Sequence, residues 1–254
     1  MGLLDVATVE RGDGDWTHGH DQTASNCGIE VRVMGPCSAL TSTVRGTVTD
    51  SPQIYQVLSF GVDAVLIRKA RCSLAEDEQR IRDALSESEE QAIARVFNVG
   101  PEAAWTSPYL MHEDVSVLNA AGLTSIDNAV FRTLEFFYRN STLAPVLHLG
   151  VAPAFQLSLS ARQALDEMNV KLSVSPGYSN GLVAVTGPVA VQIGSIQSVE
   201  TFNTSTNMVE VQATYLASVD FDMCSAVRYL LDDTTIAEVP GNAFSADNFQ
   251  DAVN

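Results

Sequence analysis

The sequence predicts an α+β fold, and three observations carry that reading. Residues 75–98 form a charged stretch with apolar residues at helical spacing. Residues 125–140 form a second such stretch. From residue 182 onward, β-branched runs alternate with turn residues.

The elements follow in chain order. Residues 1–26 are rich in Gly, Asp, Thr and His without sustained periodicity and read as an extended arm. Residues 29–34 alternate, with Ile29, Val31 and Val33 against Glu30 and Arg32, and predict a short strand that Gly35-Pro36 stops. Residues 41–70 are β-prone. Asp50-Ser51-Pro52 is turn chemistry between a run at 43–49 and a second at 54–67, broken at Gly61. The pair reads as a long two-stranded excursion with little local core. An isolated hairpin is marginal in water, so a neighbouring subunit is the expected support.

The helix over 75–98 has Glu76 with Arg80 and Glu78 with Arg82 at i, i+4, acid first. Ile81, Ala84 and Leu85, then Ala92, Ile93, Val96 and Phe97, share a face. Ser86 and Glu89 fit a capping box, which leaves one kinked helix or a restart. Gly100-Pro101 ends it. The helix over 125–140 puts Ile126, Ala129, Val130, Leu134 and Phe137 on one face. A short buried strand at 146–149 and a weaker helix at 154–168 follow. Strands are expected at 182–185, 189–193, 195–201 and 208–216, the last two joined by a turn at 203–207. Residues 232–254, acidic with scattered Phe, read as a tail.

Composition bounds the function. The chain has 254 residues, 46% of them hydrophobic, enough for one large or two small domains. Lys and Arg number 14 against 31 acidic residues, giving a net charge of −17. A protein that grips nucleic acid needs a basic footprint to displace counterions, and this composition offers none. The four cysteines, Cys27, Cys37, Cys72 and Cys224, are widely spaced, which argues against a zinc motif or a disulfide framework. Met1 to Val9 lacks the pattern of a signal peptide, and Val6 breaks the myristoylation motif. No apolar run reaches the ~18 residues that span a bilayer. The expectation is a protein made in a reducing cytoplasm, without a membrane partner.

Three groups of residues invite a chemical reading. Gly177-Tyr178-Ser179-Asn180-Gly181 matches the G-x-S-x-G nucleophile elbow, with Ser179 as nucleophile of a hydrolase. That motif needs a helix after the turn and a His late in the chain. Here Leu182-Val183-Ala184-Val185 follows, and His148 lies upstream, so a Gly-rich turn is the plainer reading. His18-Gly19-His20, near Asp15, Asp21 and Cys27, has metal-like spacing, but no second pair completes a tetrahedral set. His148 on an apolar strand reads as a core histidine. The expectation is no enzyme, no catalytic residues, no metal and no cofactor.

The order of elements resembles the Hong Kong 97-type capsid fold of tailed-bacteriophage major capsid proteins, which encapsulin shells share. Local runs carry the likeness. Glu89-Glu90-Gln91-Ala92-Ile93-Ala94-Arg95-Val96-Phe97-Asn98-Val99-Gly100 resembles the end of the family's spine helix. Val146-Leu147-His148-Leu149-Gly150-Val151-Ala152-Pro153 resembles the strand-to-helix passage of its axial domain. Gly177 to Gly181, followed by Val183-Ala184-Val185-Thr186-Gly187-Pro188-Val189, resembles its Gly-rich turn and following strand.

The resemblance implies a division of the chain. Residues 1–40 would be the N-terminal arm, 41–72 an extended loop lying over a neighbour, and 232–254 a C-terminal tail. Residues 73–118 and 195–231 would form the peripheral domain with the spine helix, and 119–194 the axial domain. It also implies a structural role: self-assembly into pentamers and hexamers of an icosahedral shell around phage double-stranded DNA, in a virion capsid assembled in the host cytoplasm. Scaffold, portal and decoration proteins would be further partners, and packaged DNA would be touched only weakly. An encapsulin-type compartment around a cargo enzyme is the alternative, and a serine hydrolase using Ser179 the second. Some shells of this fold cross-link through a Lys–Asn isopeptide bond, and Lys69 at the end of the loop is the residue in question; a simple ionic contact is the plainer role.

Overall fold

The structure, a computed structural model, describes residues 1–12, 20–23, 54–69, 74–100, 108–118, 125–203, 205–223 and 225–231. The strand expected at 29–34, the run at 43–49 and the tail at 232–254 lie outside them.

The described elements run α1 (Leu3–Val6), β1 (Thr8–Arg11), β2 (His20–Thr23), β3 (Ile54–Val57), β4 (Phe60–Lys69), α2 (Leu74–Val99), β5 (Ser116–Val117), α3 (Ile126–Asn140), β6 (Val146–Leu149), α4 (Val151–Gln156), α5 (Leu159–Glu167), β7 (Lys171–Val174), β8 (Leu182–Thr186), β9 (Ala190–Ile193), β10 (Gln197–Asn203), β11 (Met208–Asp220) and β12 (Val227–Leu230). Two five-stranded sheets organise them. In the first, β11 pairs with β4 along one edge and with β10 and then β9 along the other, and β1 adds beside β9 in parallel. The second runs β5-β12-β8-β6-β7.

There are two cores, and β8 of the second sheet faces both, with Leu182 and Ala184 in the first and Val183 and Val185 in the second. Alternate residues of β11, Val209, Val211, Ala213, Tyr215 and Ala217, turn inward with Ile81, Leu85, Ile93 and Phe97 of α2. The second core gathers Ile126, Val130, Leu134 and Phe137 of α3 with Leu147, Leu149, Val183, Val185 and Val227. The α3 face is the one the 3.6-residue period gives, and Ser125 caps its start by accepting from Asn128 N. Strands β6 and β8 are buried throughout, as a central pair under helices must be.

Several expectations change. The helix over 75–98 is continuous through the capping-box residues, where the Ser88 hydroxyl instead donates back to the Ala84 and Leu85 carbonyls. The Glu78–Arg82 pair forms at 2.9 Å. The single helix expected at 154–168 is two, α4 and α5, with Ser158 capping the second by accepting from Ala161 N. The break expected at Gly61 falls at Leu58-Ser59, between β3 and β4.

Two corrections bear on function. The first concerns the excursion with little local core. Its second half, β4, pairs with β11 of the same chain over ten residue pairs, and Phe60, Val62, Ala64 and Leu66 pack into the first core. Its short β3 pairs with β2. Replacing Phe60, which is 7% exposed, by Ala is therefore expected to destabilise the isolated subunit by about 3–5 kcal/mol. Urea unfolding measures it; a strand that touched only neighbours would give almost no change.

The second correction concerns the arm. Residues 1–11 are part of the fold. Leu3 is fully buried, and Leu3 N and Leu4 N donate to the two carboxylate oxygens of Glu90 at 2.5 and 2.8 Å. Val174 N donates to Met1 O, and Arg11 forms a two-bond contact with Glu89. The strand pairing also departs from the expected domain division. Strands β5 and β12 belong to the second sheet with β6–β8, whereas β9 belongs to the first.

Candidate functional site

No helix among the described residues is long and apolar enough to cross a membrane. The residues singled out for chemistry stand as follows. Ser179 lies in a turn closed by Leu182 N donating to the Ser179 carbonyl, and β8 begins at once at Leu182. A nucleophile elbow needs a helix there. The Ser179 hydroxyl accepts from Asn98 Nδ2 at 2.8 Å. His148 does not serve it: both ring nitrogens are engaged elsewhere, Nδ1 with Tyr178 Oη at 3.1 Å and Nε2 with Thr186 Oγ1 at 2.9 Å. The sequence brought Ser179 and His148 together on paper, and the fold gives them different partners.

His20 sits in β2 opposite Val57, while His18, Asp15 and Cys27 lie outside the described residues, as do the side chains of β2. Lys69 ends β4 opposite Met208.

What the Gly-rich turn does is join the two halves. A Cβ on Gly177 would lie 2.5 Å from the Gln91 carbonyl oxygen and 2.6 Å from Arg95 N, both backbone atoms of α2. A Cβ on Gly150 would collide with the Ser179 carbonyl oxygen. The glycines are there because helix, turn and the β6–α4 passage approach more closely than a side chain permits. Phe97 then packs edge-on to His148 of β6 and to Phe221, each with ring centroids at 5.0 Å, inside the first core, which Ala184 of β8 also enters. Tyr178 Oη continues to Ser173 Oγ at 2.8 Å. Burial raises the Tyr178 phenol well above its ordinary range and holds the His148 imidazole down at about 3.

The outer surface is unusually apolar in two places. On the face of the first sheet opposite α2, Val65 and Val199 flank Gln212 in one cross-strand row, with Ile67 in the next row beside Glu210. Val65, Ile67 and Val199 are 47%, 59% and 62% exposed. At the elbow between α4 and α5, Phe155 is 76% exposed and Leu159 73%. Arg162, one turn on, donates to the Ala154 carbonyl and holds the elbow closed. Sequence reading passed over both places. The first lies in runs expected as strands at 54–67 and 195–201, and the second in the single helix expected at 154–168.

No protein-family model matches the sequence, and no curated protein matches it. Comparison with solved structures gives three informative neighbours. The virus-like particle from Pyrococcus furiosus aligns with a TM-score of 0.56 at 11% identity, covering 90% of this chain and 92% of that one. The capsid of an empty GTA particle aligns at 0.58 and 13% identity, covering 91% and 89%. A chain of Microbacterium phage Oxtober96 aligns at 0.57 and 9% identity, covering 90% of each. At such identities the likeness is one of fold, and it extends over nearly the whole chain.

Proposed function

We propose that this chain, which has the Hong Kong 97-type capsid fold, is a shell subunit whose working surface is its contact with copies of itself. The observation that carries the reading is the pairing of that fold with large apolar side chains left in solvent at Phe155, Leu159, Val65, Ile67 and Val199. Exposed apolar groups gathered on particular faces mark interaction sites, and closed symmetric assembly multiplies modest contacts into a stable shell. The residues that invited a catalytic reading have structural work instead: Ser179 ties the turn to α2, and His148 lies in the interior. Of the two uses of the fold, a phage capsid around double-stranded DNA is the one we favour, located in the virion and assembled in the host cytoplasm. The net charge of −17 supports a wall that does not adhere to its cargo. Pentamers and hexamers are the expected capsomers.

The double substitution Phe155→Asp with Leu159→Asp tests the surface assignment. Both side chains are exposed in the subunit, so folding should change by roughly 0.5 kcal/mol or less. Assembly should be lost, because each copy would carry two unpaired carboxylates into a desolvated contact. Sedimentation at matched concentration reads the result. Assembly equal to that of the parent would remove the elbow from the interface.

A further inference from the structure

The hydrogen-bonded chain through His148 has a direction that can be worked out from its end. Thr186 Oγ1 donates its one hydrogen to the Gly187 carbonyl at 2.8 Å. Toward His148 Nε2 the Thr186 oxygen must therefore accept, so Nε2 carries the proton. Nδ1 is then bare and accepts from the Tyr178 hydroxyl. With that hydrogen used, the Tyr178 oxygen accepts from Ser173 Oγ. Each bond has one donor, and only a neutral imidazole protonated at Nε2 satisfies them all.

The surroundings offer a cation nothing. His148 is fully buried, paired in register with Ser173 of β7 and Ala184 of β8, and faced by Phe97 of α2 and by Tyr178. Strands β6 and β8 hold no other ionisable residue, and β7 holds only Lys171, at its exposed end. The turn at 175–181 contributes only Tyr178. From α2, Glu90 acts on Tyr178, but its two oxygens already accept from Leu3 N and Leu4 N; Arg95 is exposed. An imidazolium would be buried without an anion, and its new Nδ1–H would point at a hydroxyl that is itself donating.

We propose that His148 is an acid-operated release for the joint between the second sheet and α2. A proton from the medium adds to Nδ1, the Tyr178 bond breaks, and the turn at 177–181 leaves α2 while the hairpin β10–β11 stays folded. The window follows from the two protonation equilibria. The closed joint takes up its proton only near pH 3, whereas an open histidine does so near 6.5. Above pH 6.5 neither state is protonated and the joint is unaffected. Between 6.5 and 3 the open state holds one more proton and gains about tenfold per pH unit. The inference goes beyond the shell reading and does not need it.

Amide hydrogen exchange on the full chain tests it, with rates corrected for the intrinsic pH dependence. From pH 6.5, where an open histidine is already half protonated, to pH 4.5, opening at residues 178–186 should rise about 50-fold, with residues 197–214 unchanged. In His148→Gln, whose amide can donate to Thr186 and accept from Tyr178 without titrating, the rise should vanish. A rise retained in the Gln variant, or one shared equally by the hairpin, overturns the proposal. Nitrogen NMR of the labelled parent gives a second readout if the variant does not fold. A neutral ring with its single proton on Nε2, persisting below pH 5, is expected; a neutral ring protonated on Nδ1 instead, or titration near 6.5, contradicts it.

Discussion

Deletion of residues 1–11 should leave a subunit that no longer holds its fold under conditions in which the full chain is stable. The segment buries Leu3 completely and Val6 nearly so, at 6% exposure. Those two side chains alone are worth about 3–6 kcal/mol at roughly 1.5–3 each. The deletion also strips Glu90 of the two backbone donors that satisfy its carboxylate and removes β1 from the edge of β9. A partly buried carboxylate without donors adds its own desolvation cost. The Arg11–Glu89 pair counts for less, since Arg11 is 60% exposed and such pairs contribute about 1 kcal/mol or less. The total is comparable with the whole stability of an ordinary domain, roughly 5–15 kcal/mol. Urea unfolding followed by circular dichroism measures it. A midpoint equal to that of the full chain would return these residues to the role of a free arm.

Gly177→Ala should also destabilise the subunit, although alanine is usually the gentlest replacement for glycine. Removing glycine from the unfolded chain favours folding by about 0.4–1 kcal/mol. Against that stands a methyl group 2.5 and 2.6 Å from two backbone atoms of α2, and 2.9 Å from the Ala94 side chain. Backbone cannot swing aside as a flexible side chain can, and overpacking of this kind costs about 1–3 kcal/mol or more. The clash wins. The thermal midpoint should fall by several degrees, at roughly 2–4 °C per kcal/mol for a chain of this size. The control is Gly61→Ala, where an added Cβ meets nothing within 4 Å; it should leave the midpoint almost unchanged. Equal effects at the two sites would refute the close approach of turn and helix.

The parts of the fold legible in the sequence were those with local causes. Helix α3 shows its buried stripe and its capping Ser125 within sixteen residues, and the β10–β11 hairpin announces its turn at 203–207, where Asn207 takes the left-handed conformation with φ 54°. What escaped depends on distant partners. Helix α1 has four residues, far too few to signal themselves, and is held by Glu90 and by Val174 of β7. Strand β4 hid its inward set, Phe60, Val62, Ala64 and Leu66, because its outward set includes Val65 and Ile67 and the alternation is blurred. The same exposed residues that hid the strand's register are those assigned here to assembly. Strand β12 was disguised by Arg228, whose guanidinium turns inward to the Leu110 and His112 carbonyls at 2.7 Å. The joint at His148 was half legible. An apolar strand with one histidine suggests a core group, but nothing local names Tyr178 and Thr186 as its partners.

The central claim is that this subunit works by closing into shells. Electron microscopy of the full chain, purified at moderate salt and concentrated, tests it most directly, with the Phe155→Asp, Leu159→Asp chain as the matched control. Closed particles or isolated pentamers and hexamers in the parent, with dispersed folded subunits in the control, are the predicted result. A parent that stays a folded monomer at every concentration and salt, including when recovered from its native host, would contradict the account.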